Sequence, residues 1–529
     1  MGHKTRLHRM FAGVLLLVML LTTCGIAQAA ENFNETGFPI VNEPVAVTAW
    51  GIIHPSATEG WDKSVFFERM QELTNIEIDA KTVSLDGSIE KRALLFASNE
   101  LPDIFLRSGL TNDEIATYGA QGVLIPLQDL IEQYAPNLKA LFERVEGLRG
   151  SLMTPDGNIY SLGQVQMDIP TMHYVINSQW LQNVGMEMPT DLDSFYQTLV
   201  AFKAQDANGN GDPSDEIPFS VVGIPDLKKM LSAWGIIIDK DRNNDMFVYP
   251  GTDKVLYAMN QDSFKDALTF FHKLYKEGLL DAEFLVQDAT SYGAKASQNR
   301  IGTLHVPGTF AVAGEALHFD YDAMEPFPDQ NGNRYTIANI PAMTGAFAIT
   351  SQCKNPEAMI RWADYLYSEE GTILAWAGVE GKTYKWNDDG TWSWIPQGDE
   401  SVFTLRANET LQGGAPYPSG NPDLFDGKFW SHSGNKFENS LVEKRSVAGK
   451  YAVPVFPAVT FDGVDQEEIT FVMTDINNYV MQSIASFITG SVDIEAGWED
   501  YRGTLSAMGI DRIVELYQKR YDEYQKINA

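Results

Sequence analysis

A short loop near the middle of the chain carries side-chain oxygens at alternating positions around a glycine. Calcium takes about six to eight oxygen ligands, and a loop of the EF-hand type supplies them from alternate positions with glycine at the sharp turn. Gly211 stands at that turn, and Ser214 stands where such a loop binds directly or through water. The candidate ligands are Asp206, Asn208, Asn210, Asp212, Asp215 and Glu216. The pattern predicts a bound calcium ion, with a solvated Asn-Gly turn as the alternative.

The end of this loop departs from the EF-hand pattern. Ile217 stands at the closing position, and the acids Asp215 and Glu216 come before it. We expect Glu216 to supply the closing carboxylate, because it is the acid nearest that position. Such loops also serve as structural clips, so calcium by itself does not name a function.

Motifs for catalysis are absent from the sequence. It contains no H-E-x-x-H, G-x-S-x-G or G-x-x-x-x-G-K-[ST], and Gly209-Asn-Gly211 lacks the third glycine of a dinucleotide loop. We therefore expect a protein that is not an enzyme. A secreted glycoside hydrolase remains the alternative, because its two carboxylates are recognised by their separation in space.

Composition and charge further limit the classes of protein and partner that fit this chain. The chain has 529 residues, 44% of them hydrophobic, which suits a globular protein of two or three domains. Its formal net charge of -32 argues against nucleic acid as a partner, since phosphate contacts need clustered Lys and Arg. A calcium-dependent adhesion module would show repeated β-sandwich patterns, and the chain shows helical patterns throughout instead.

The N-terminus has the plan of an export signal. Basic residues precede an apolar run from Phe11 to Leu21, which is shorter than the about 20 residues that span a membrane. We predict a signal peptide over residues 1–29. Cys24 lies in a lipobox-like sequence and is the favoured lipidation site, while cleavage at Ala29 is the alternative. The expected location is the cell surface, with the lipid at Cys24 as the sole membrane anchor; the alternative is a soluble secreted or periplasmic protein.

The elements that must position these residues alternate between strand and helix. Extended patterns at 45–50, 76–80 and 104–106 flank helical patterns around 66–73 and 89–97, which favours an α/β fold with a largely parallel sheet. Thr190 is the expected N-cap of the helix that leads into the acidic loop. Asn355-Pro356 is expected to open a helix reaching Gly371, and the chain from Gln466 onward reads as packed helices.

Several segments, in this order and spacing, resemble one known family. They include Ala97-Ser-Asn-Glu-Leu-Pro-Asp-Ile104, Asp156-Gly-Asn-Ile-Tyr160, Leu274-Tyr-Lys-Glu-Gly-Leu-Leu-Asp281 and Gly378-Val-Glu-Gly381. The chain is similar to the family 1 extracellular solute-binding proteins of carbohydrate ABC importers, especially the large lipoprotein type and the alginate-binding proteins. The resemblance covers nearly the whole mature chain.

The resemblance implies a fold and a set of partners. It implies a two-lobe, type II periplasmic-binding-protein-like fold with the ligand cleft between the lobes and a helical C-terminal part. It also implies a monomer that takes a carbohydrate ligand to the membrane permease of an ABC importer, with the calcium ion serving structure. The expected domains are a linker at 30–44, a first lobe at 45–165 plus about 343–410, and a second lobe at 166–342 plus about 411–529.

A saccharide cleft needs flat aromatic platforms with polar groups at their edges. Aromatic residues are more often core than platform, so those beside strand ends, glycines or polar neighbours are the better candidates. A carboxylate at the start of a strand can accept hydrogen bonds from sugar hydroxyls, with capping as the alternative. The candidates are Trp50, Asp103, Trp234, Trp376, Tyr417 and Trp430.

Overall fold

Two separate mixed sheets organise the molecule. The computed structural model describes residues 32–528 apart from 55, 167–172, 239–242, 339–340, 397, 399–400, 413–414, 421–428, 430–431, 454–455, 458, 460 and 462. The signal peptide and Cys24 lie outside the described residues.

The strands are short except for β1, β2 and β12. In chain order they are β1 (Val45–Ile52), β2 (Ile76–Val83), β3 (Ile104–Leu106), β4 (Leu162–Val165), β5 (His173–Asn177), β6 (Ile217–Phe219), β7 (Met246–Val248), β8 (Val255–Tyr257), β9 (Ile301–Val306), β10 (Tyr321–Ala323), β11 (Thr336–Ile337), β12 (Ala342–Ile349), β13 (Tyr384–Trp386), β14 (Trp392–Trp394) and β15 (Ala452–Val453).

Helices connect and cover the strands. In chain order they are α1 (Val65–Thr74), α2 (Ser88–Ser98), α3 (Asn112–Ala120), α4 (Gln128–Tyr134), α5 (Pro136–Arg144), α6 (Leu148–Leu152), α7 (Ser178–Val184), α8 (Leu192–Ala204), α9 (Gly223–Leu227), α10 (Asp262–Lys276), α11 (Ala289–Ser297), α12 (Thr309–Val312), α13 (Pro356–Tyr365), α14 (Glu369–Ala377), α15 (Val402–Glu409), α16 (Lys436–Gly449), α17 (Gly463–Thr489), α18 (Ile494–Ala507) and α19 (Ile510–Asn528).

The first sheet has the order β2-β1-β3-β12-β4. β1 runs parallel to β2 and β3, as the alternation of strand and helix predicts, because a helical crossover returns the chain in the same direction. β12 comes from much later in the chain and is antiparallel to both β3 and β4. In this sheet, the expectation of largely parallel strands therefore holds for β1, β2 and β3 only.

The second sheet has the order β10-β5-β9-β6. Here only the β6–β9 pair is parallel, while β5 is antiparallel to β9 and β10. The core of this lobe continues into the C-terminal helices. Buried side chains at helical spacing on α17 pack against α10: Ile469, Met473, Ile476, Val480, Ile484 and Phe487.

Two boundaries differ from the sequence-based division. The segment predicted as a linker buries Ile40 and Val41 in the core of the first lobe, where Val41 N–H donates to Thr74 O at 3.2 Å. Leu411 and Tyr417, assigned to the second lobe, lie in the same first core. Long-range strand contacts decide this, since Val165 N–H donates to Ser419 O at 2.9 Å.

Most helix boundaries predicted from local sequence signals agree with the structure, and two differ. The cap of α8 is Asp191, whose side chain accepts from Ser194 N–H, instead of Thr190. The helix predicted from Pro356 to Gly371 is two helices, α13 and α14, because the chain turns after Tyr365 and Ser368 caps the second one. Within the described part of the chain, no helix has both the length and the apolar character needed to cross a bilayer.

Candidate functional site

The candidate site lies at the carboxyl ends of the strands. In open α/β sheets, ligands bind in the crevice outside those ends. In the first lobe this edge is where β1 and β3 finish, and in the second lobe it is where β6 and β9 finish and the antiparallel β5 begins. We call these places the first edge and the second edge.

Arg107 is the central cation of the first edge. It directly follows β3, is fully buried, and has a φ of 51°, which non-glycine residues seldom adopt. Its backbone is fixed on both sides, since its N–H donates to Ala346 O at 2.9 Å and its carbonyl accepts from Ile52 N–H at 3.0 Å. Burial lowers the pKa of the guanidinium to about 10. The fold thus holds a charged group in a position that is unfavourable for both its backbone and its solvation.

A tryptophan supports this guanidinium. Arg107 Cζ lies 5.9 Å from the centre of the Trp61 ring, within the range of a cation–π interaction. Trp61 packs closely on β1 because Gly51 has no side chain there. A Cβ at Gly51 would lie 2.5 Å from the Trp61 ring and 2.0 Å from Leu106 O. Glycine is therefore required for this edge to form.

A second guanidinium stands among aromatic rings at the same edge. Arg406 on α15 lies 5.1 Å from the ring centre of Trp376 and 5.6 Å from that of Trp394. Its Nε donates to Gln412 Oε1. Trp376 and Trp394 are themselves in contact, with ring centres 5.3 Å apart. Together they form an aromatic surface with a charged donor on it.

His54 and Tyr417 complete the first edge. Burial lowers the pKa of His54, and the positive charges of Arg107 and Arg406 lower it further. His54 Nδ1 accepts a hydrogen bond from Ser56 N–H at 2.9 Å, which leaves the proton of the neutral ring on Nε2. Burial raises the pKa of Tyr417 to about 12, although the same two guanidiniums oppose that shift. Both side chains therefore lie within the electrostatic influence of both arginines.

The second edge collects imidazoles and cations. His173 begins β5 opposite the end of β9, and it is 3% exposed. Neither ring nitrogen of His173 has a hydrogen-bond partner among the described residues. Its pKa falls to about 3 because of burial and then the nearby Arg445. Arg445 on α16 donates from Nη2 to Pro307 O, just after β9, at 2.9 Å.

His318 lies beside these groups in the same lobe. It is fully buried, and its two ring nitrogens also lack hydrogen-bond partners within the described residues. Burial and the charges of Lys444 and Lys436 lower its pKa to about 4. Lys444 Nζ donates to the His318 carbonyl at 2.7 Å, and burial lowers the pKa of Lys444 too. Buried polar atoms without partners are uncommon, and here they accumulate at one edge.

Aromatic rings border the second edge as well. Phe319 and Phe437 stack with ring centres 5.6 Å apart, and Phe319 is half exposed. Lys436 Nζ lies 5.3 Å from the first ring and 5.0 Å from the second. The second edge thus repeats the combination of ring faces and cations found at the first.

The two edges are connected near the start of α16. Ser433 pairs with Trp392 of β14, and Gly434 N–H donates to Trp392 O at 2.6 Å. α16 begins at Lys436 and carries Arg445 two turns later. A short stretch of chain therefore runs directly from the aromatic cluster of the first edge to the cations of the second.

The acidic loop lies at the opposite, amino end of β6. Asp206 Oδ2 accepts from Gly211 N–H at 2.9 Å, and Asn208 Oδ1 accepts from Asn210 N–H at 2.9 Å. Asp206 Oδ1 and Glu216 Oε2 are buried and accept no hydrogen bond from the described residues. Burial raises the pKa of Glu216. Two buried, unpaired carboxylate oxygens fit a hard cation, which prefers oxygen ligands.

The other side chains of the loop form hydrogen bonds with one another. Asp215 accepts from the side-chain amides of Asn208 and Asn210 at 2.9 and 3.1 Å, and it lies 3.7 Å from Arg300 Nε. Asp212 accepts from Ser214 Oγ at 2.6 Å. Over the described ranges, no group of three His, Cys, Asp or Glu side chains is arranged to hold a metal. Any ion here needs the amide and backbone oxygens together with Asp206 and Glu216.

Of the saccharide-site candidates from the sequence, the structure brings two to the first edge. Trp376 contacts Arg406, and Tyr417 is within the influence of both arginines. Trp50 is instead buried against Phe105, and Trp234 packs on Phe270 and Phe271 of α10. Trp430 lies outside the described residues.

Asp103 is also placed away from the edge. It precedes β3, so it stands at the amino end of the strand whose carboxyl end carries Arg107. Its Oδ2 accepts from Thr48 N–H at 2.8 Å and from Thr48 Oγ1 at 2.7 Å. The carboxylate ties two strands together, since Thr48 belongs to β1 and Asp103 directly precedes β3.

Sequence reasoning missed most of the edge residues. Arg107 had a usable signal, because it directly follows the third predicted strand and ligands bind beyond carboxyl ends. His173, His318 and Arg445 had none, since they are isolated residues that come together only through the pairing of β5 with β9 and the packing of α16.

Comparison with known proteins identifies the family of the chain. Residues 55–373 match the model of a family described as bacterial extracellular solute-binding protein, and residues 458–526 match one described as a domain of unknown function. The chain is 29% identical to the fructooligosaccharide ABC transporter substrate-binding protein FusA of Streptococcus pneumoniae, over 97% of this chain and 98% of that protein. It is 24% identical to lipoprotein LipO of Bacillus subtilis, over 98% and 99%.

Solved structures show the same architecture. The S. pneumoniae FusA structure in complex with kestose has a TM-score of 0.73 at 25% identity, covering 91% of this chain and all of that one. That likeness supports the mixed α/β, two-lobe type II fold with a helical C-terminal region. The matched family and the coverage of these relatives place this chain among the bacterial extracellular solute-binding proteins.

Proposed function

We propose that this protein captures an oligosaccharide between its two lobes and delivers it to the membrane permease of an ABC importer. The observation that supports this most is the first edge, where tryptophan faces and guanidinium donors stand at the carboxyl ends of strands in a member of a solute-binding family. Ring faces suit the C–H surfaces of sugars, and the donors suit their hydroxyls. The protein acts as a monomer and performs no chemistry on its ligand.

Capture proceeds by closure of the lobes. The ligand first binds the aromatic surface of one lobe, and the contacts of the second edge form only when the lobes approach. A ligand shifts an equilibrium by as much as its affinities for the two states differ, so these additional contacts drive closure. Identical X-ray scattering profiles with and without saturating saccharide would contradict this step.

Calorimetry and thermal denaturation test the function. We expect at least one oligosaccharide in a panel of neutral and acidic plant and microbial sugars to raise the melting temperature and to be recovered intact. Release of reducing ends, abolished by substitution of one carboxylate, would replace binding by the hydrolase alternative. Failure of the entire panel to bind would refute saccharide capture.

We also propose a structural calcium ion in the acidic loop. Asp206, Glu216 and the oxygens of Asn208 and Asn210 would hold it, with the Asp212 carbonyl. The ion would supply positive charge to two buried carboxylate oxygens that have no hydrogen-bond donor among the described residues. It would fix the loop between α8 and β6 and take no part in ligand capture.

Export and anchoring complete the proposal. The protein leaves the cell and is held on the outer face of the membrane by a lipid at Cys24. Mass spectrometry of the mature protein from its membrane fraction checks this. A diacylated N-terminal cysteine is expected, whereas an unmodified chain beginning after Ala29 would indicate a soluble secreted or periplasmic protein.

A further inference from the structure

Positive charge is concentrated at both edges although the protein as a whole is strongly acidic. The formal net charge is -32, and 71 acidic residues outnumber 39 basic ones. Arg107 and Arg406 nevertheless both lie close enough to His54 to lower its pKa, and Arg445 and Lys444 both lower the pKa of His173. A local cluster of one sign inside a field of the other attracts a ligand group of the opposite charge.

Burial makes these cations costly to hold at the edges. Burial lowers the pKa of Arg107 and of Arg445 to about 10 each, because a guanidinium held away from water loses part of its hydration. Arg107 additionally has a left-handed backbone conformation. A neutral sugar needs donors and acceptors, which amides and hydroxyls supply without this cost. An anionic group adds attraction in a place where water does not screen it.

The second edge contributes an independent observation. The rings of His173 and His318 are buried, and none of their four nitrogens is hydrogen-bonded within the described residues. Thr309 Oγ1, at the start of α12 beyond the end of β9, is also buried with no such bond. A neutral imidazole has one N–H donor and one acceptor nitrogen, and a hydroxyl donates one hydrogen, so this edge holds two imidazole N–H groups and the Thr309 hydroxyl without partners among the described residues, beside Arg445. Carboxylate oxygens accept from these donors, and sugar hydroxyls donate to the two remaining imidazole nitrogens.

We propose that the ligand is an acidic oligosaccharide, whose uronic-acid carboxylates are held between the guanidiniums of the first edge and the Arg445 cluster of the second. Guanidinium and carboxylate are planar and form paired hydrogen bonds, which favours carboxylate over a point charge. Because acidic saccharides are one class of the oligosaccharides considered above, this assignment rests on the proposed function.

The test compares each acid with its own neutral form. Calorimetry at pH 7 would use trigalacturonate, a trimannuronate and a glucuronic-acid-bearing xylotetraose, each against its methyl ester, with kestose as a neutral reference. At least one acid should bind 30-fold or more tightly than its ester, and that affinity should weaken as salt is raised. An ester or kestose that binds as tightly as every acid would overturn the assignment and leave saccharide capture intact. If no compound binds, both proposals fail.

Substitutions of single arginines test which cations bind the carboxylates of the ligand. Arg445→Gln should weaken binding of the preferred acid at least 10-fold and change binding of its ester less than 2-fold. Arg502→Gln removes the same charge from a partly exposed pair with Asp262, 3.1 Å apart, and should change neither. An equal loss for acid and ester in folded Arg445→Gln would overturn the assignment. Arg107→Gln makes the same comparison at the first edge: binding of the acid should weaken more than binding of its ester, and the melting temperature is the check on folding.

Discussion

The amino and carboxyl ends of the strands differ in the sign of the charge they collect. β3 is flanked by Asp103 on its amino side and Arg107 on its carboxyl side. β6 follows the acidic loop that ends in Glu216, while the neighbouring β9 leads to the carbonyl bound by Arg445. At these points acids stand on the amino side and cations on the carboxyl side, with two exceptions: Arg300 directly precedes β9, and Asp226 lies beyond the end of β6, 3.5 Å from His305.

We interpret the amino-end groups as contributing to the stability of the fold and the carboxyl-end groups as contributing to ligand binding. At the amino ends the carboxylates are bonded to neighbouring chain or fit a cation, so they hold strands and loops in place. At the carboxyl ends cations and imidazoles are buried at a cost, and the ring nitrogens of His173 and His318 have no hydrogen-bond partner among the described residues. We expect changes at the amino ends to alter the free energy of unfolding and changes at the carboxyl ends to alter ligand affinity.

The largest expected effect concerns calcium at the amino end. At calcium about 100 times above its dissociation constant, binding to the folded state adds about 2.7 kcal/mol. Chelation should therefore lower the free energy of unfolding by about 3 kcal/mol and leave saccharide affinity unchanged. Denaturation and calorimetry, each with calcium and with EGTA, measure the two quantities.

Matched variants sharpen this calcium test. Glu216→Gln should remove most of the calcium response, whereas Asp212→Asn should keep it, because Asp212 would offer its backbone carbonyl and its side chain bonds to Ser214. Loss of saccharide affinity in a folded, calcium-free protein would contradict the separation between the two ends.

The next effect is the pH dependence of stability at the carboxyl end. The pKa of His173 is about 3 in the folded state and about 6.5 when unfolded, so the unfolded state takes up the proton first. Stability from this group is complete above pH 6.5 and declines as the pH falls, by at most about 1.4 kcal/mol per unit. The charged and titratable groups facing the ring are Arg445, His305, Lys444 and His318.

Urea denaturation between pH 7 and pH 4.5 measures that slope. His173→Leu should flatten it, and it should leave the free energy of unfolding at pH 7 unchanged or higher, because an apolar side chain replaces two unsatisfied ring nitrogens. Saccharide affinity should fall in the same variant. A stable variant that binds as the parent does would remove His173 from the binding edge.

A smaller effect is expected from Arg406→Lys at the first edge. Lysine keeps the charge and loses the planar group that lies over Trp376 and Trp394. We expect affinity to fall by about 1 kcal/mol, roughly 5-fold, with a change in the free energy of unfolding of at most about 1 kcal/mol. Calorimetry and denaturation of one preparation give both values, and a loss confined to stability would assign Arg406 to the core.

The smallest effect is expected from Asp103→Asn. Asparagine can keep one of the bonds to Thr48, so the free energy of unfolding should fall by about 1 kcal/mol or less. Affinity should be unchanged, because the residue lies at the amino end of β3. A selective loss of saccharide affinity would return Asp103 to the binding site.

Local patterns in the sequence predicted the elements well. The alternation at 45–50, 76–80 and 104–106 corresponds to β1, β2 and β3, and the helices expected from Gln466 onward are α17, α18 and α19. Such signals depend on residues a few positions apart, which fix period, caps and turns regardless of the rest of the chain. The predicted N-cap of α8, Thr190, is one residue away from the observed cap. The break after Tyr365 was missed because the turn there contains neither glycine nor proline.

The sequence by itself determined the order of helices and strands, the acidic loop before β6 and the resemblance to a family, and it predicts an export signal. Tertiary structure alone decided which residues come together at the carboxyl ends of the strands. His54, Arg107, Arg406 and Tyr417 meet there because β1 pairs with β3 and the segment around Ser419 pairs with β4. Trp50 and Trp234 were drawn into cores by the same long-range packing. Short-range sequence patterns carry no information about such contacts, because the burial and charge of an edge depend on residues hundreds of positions apart.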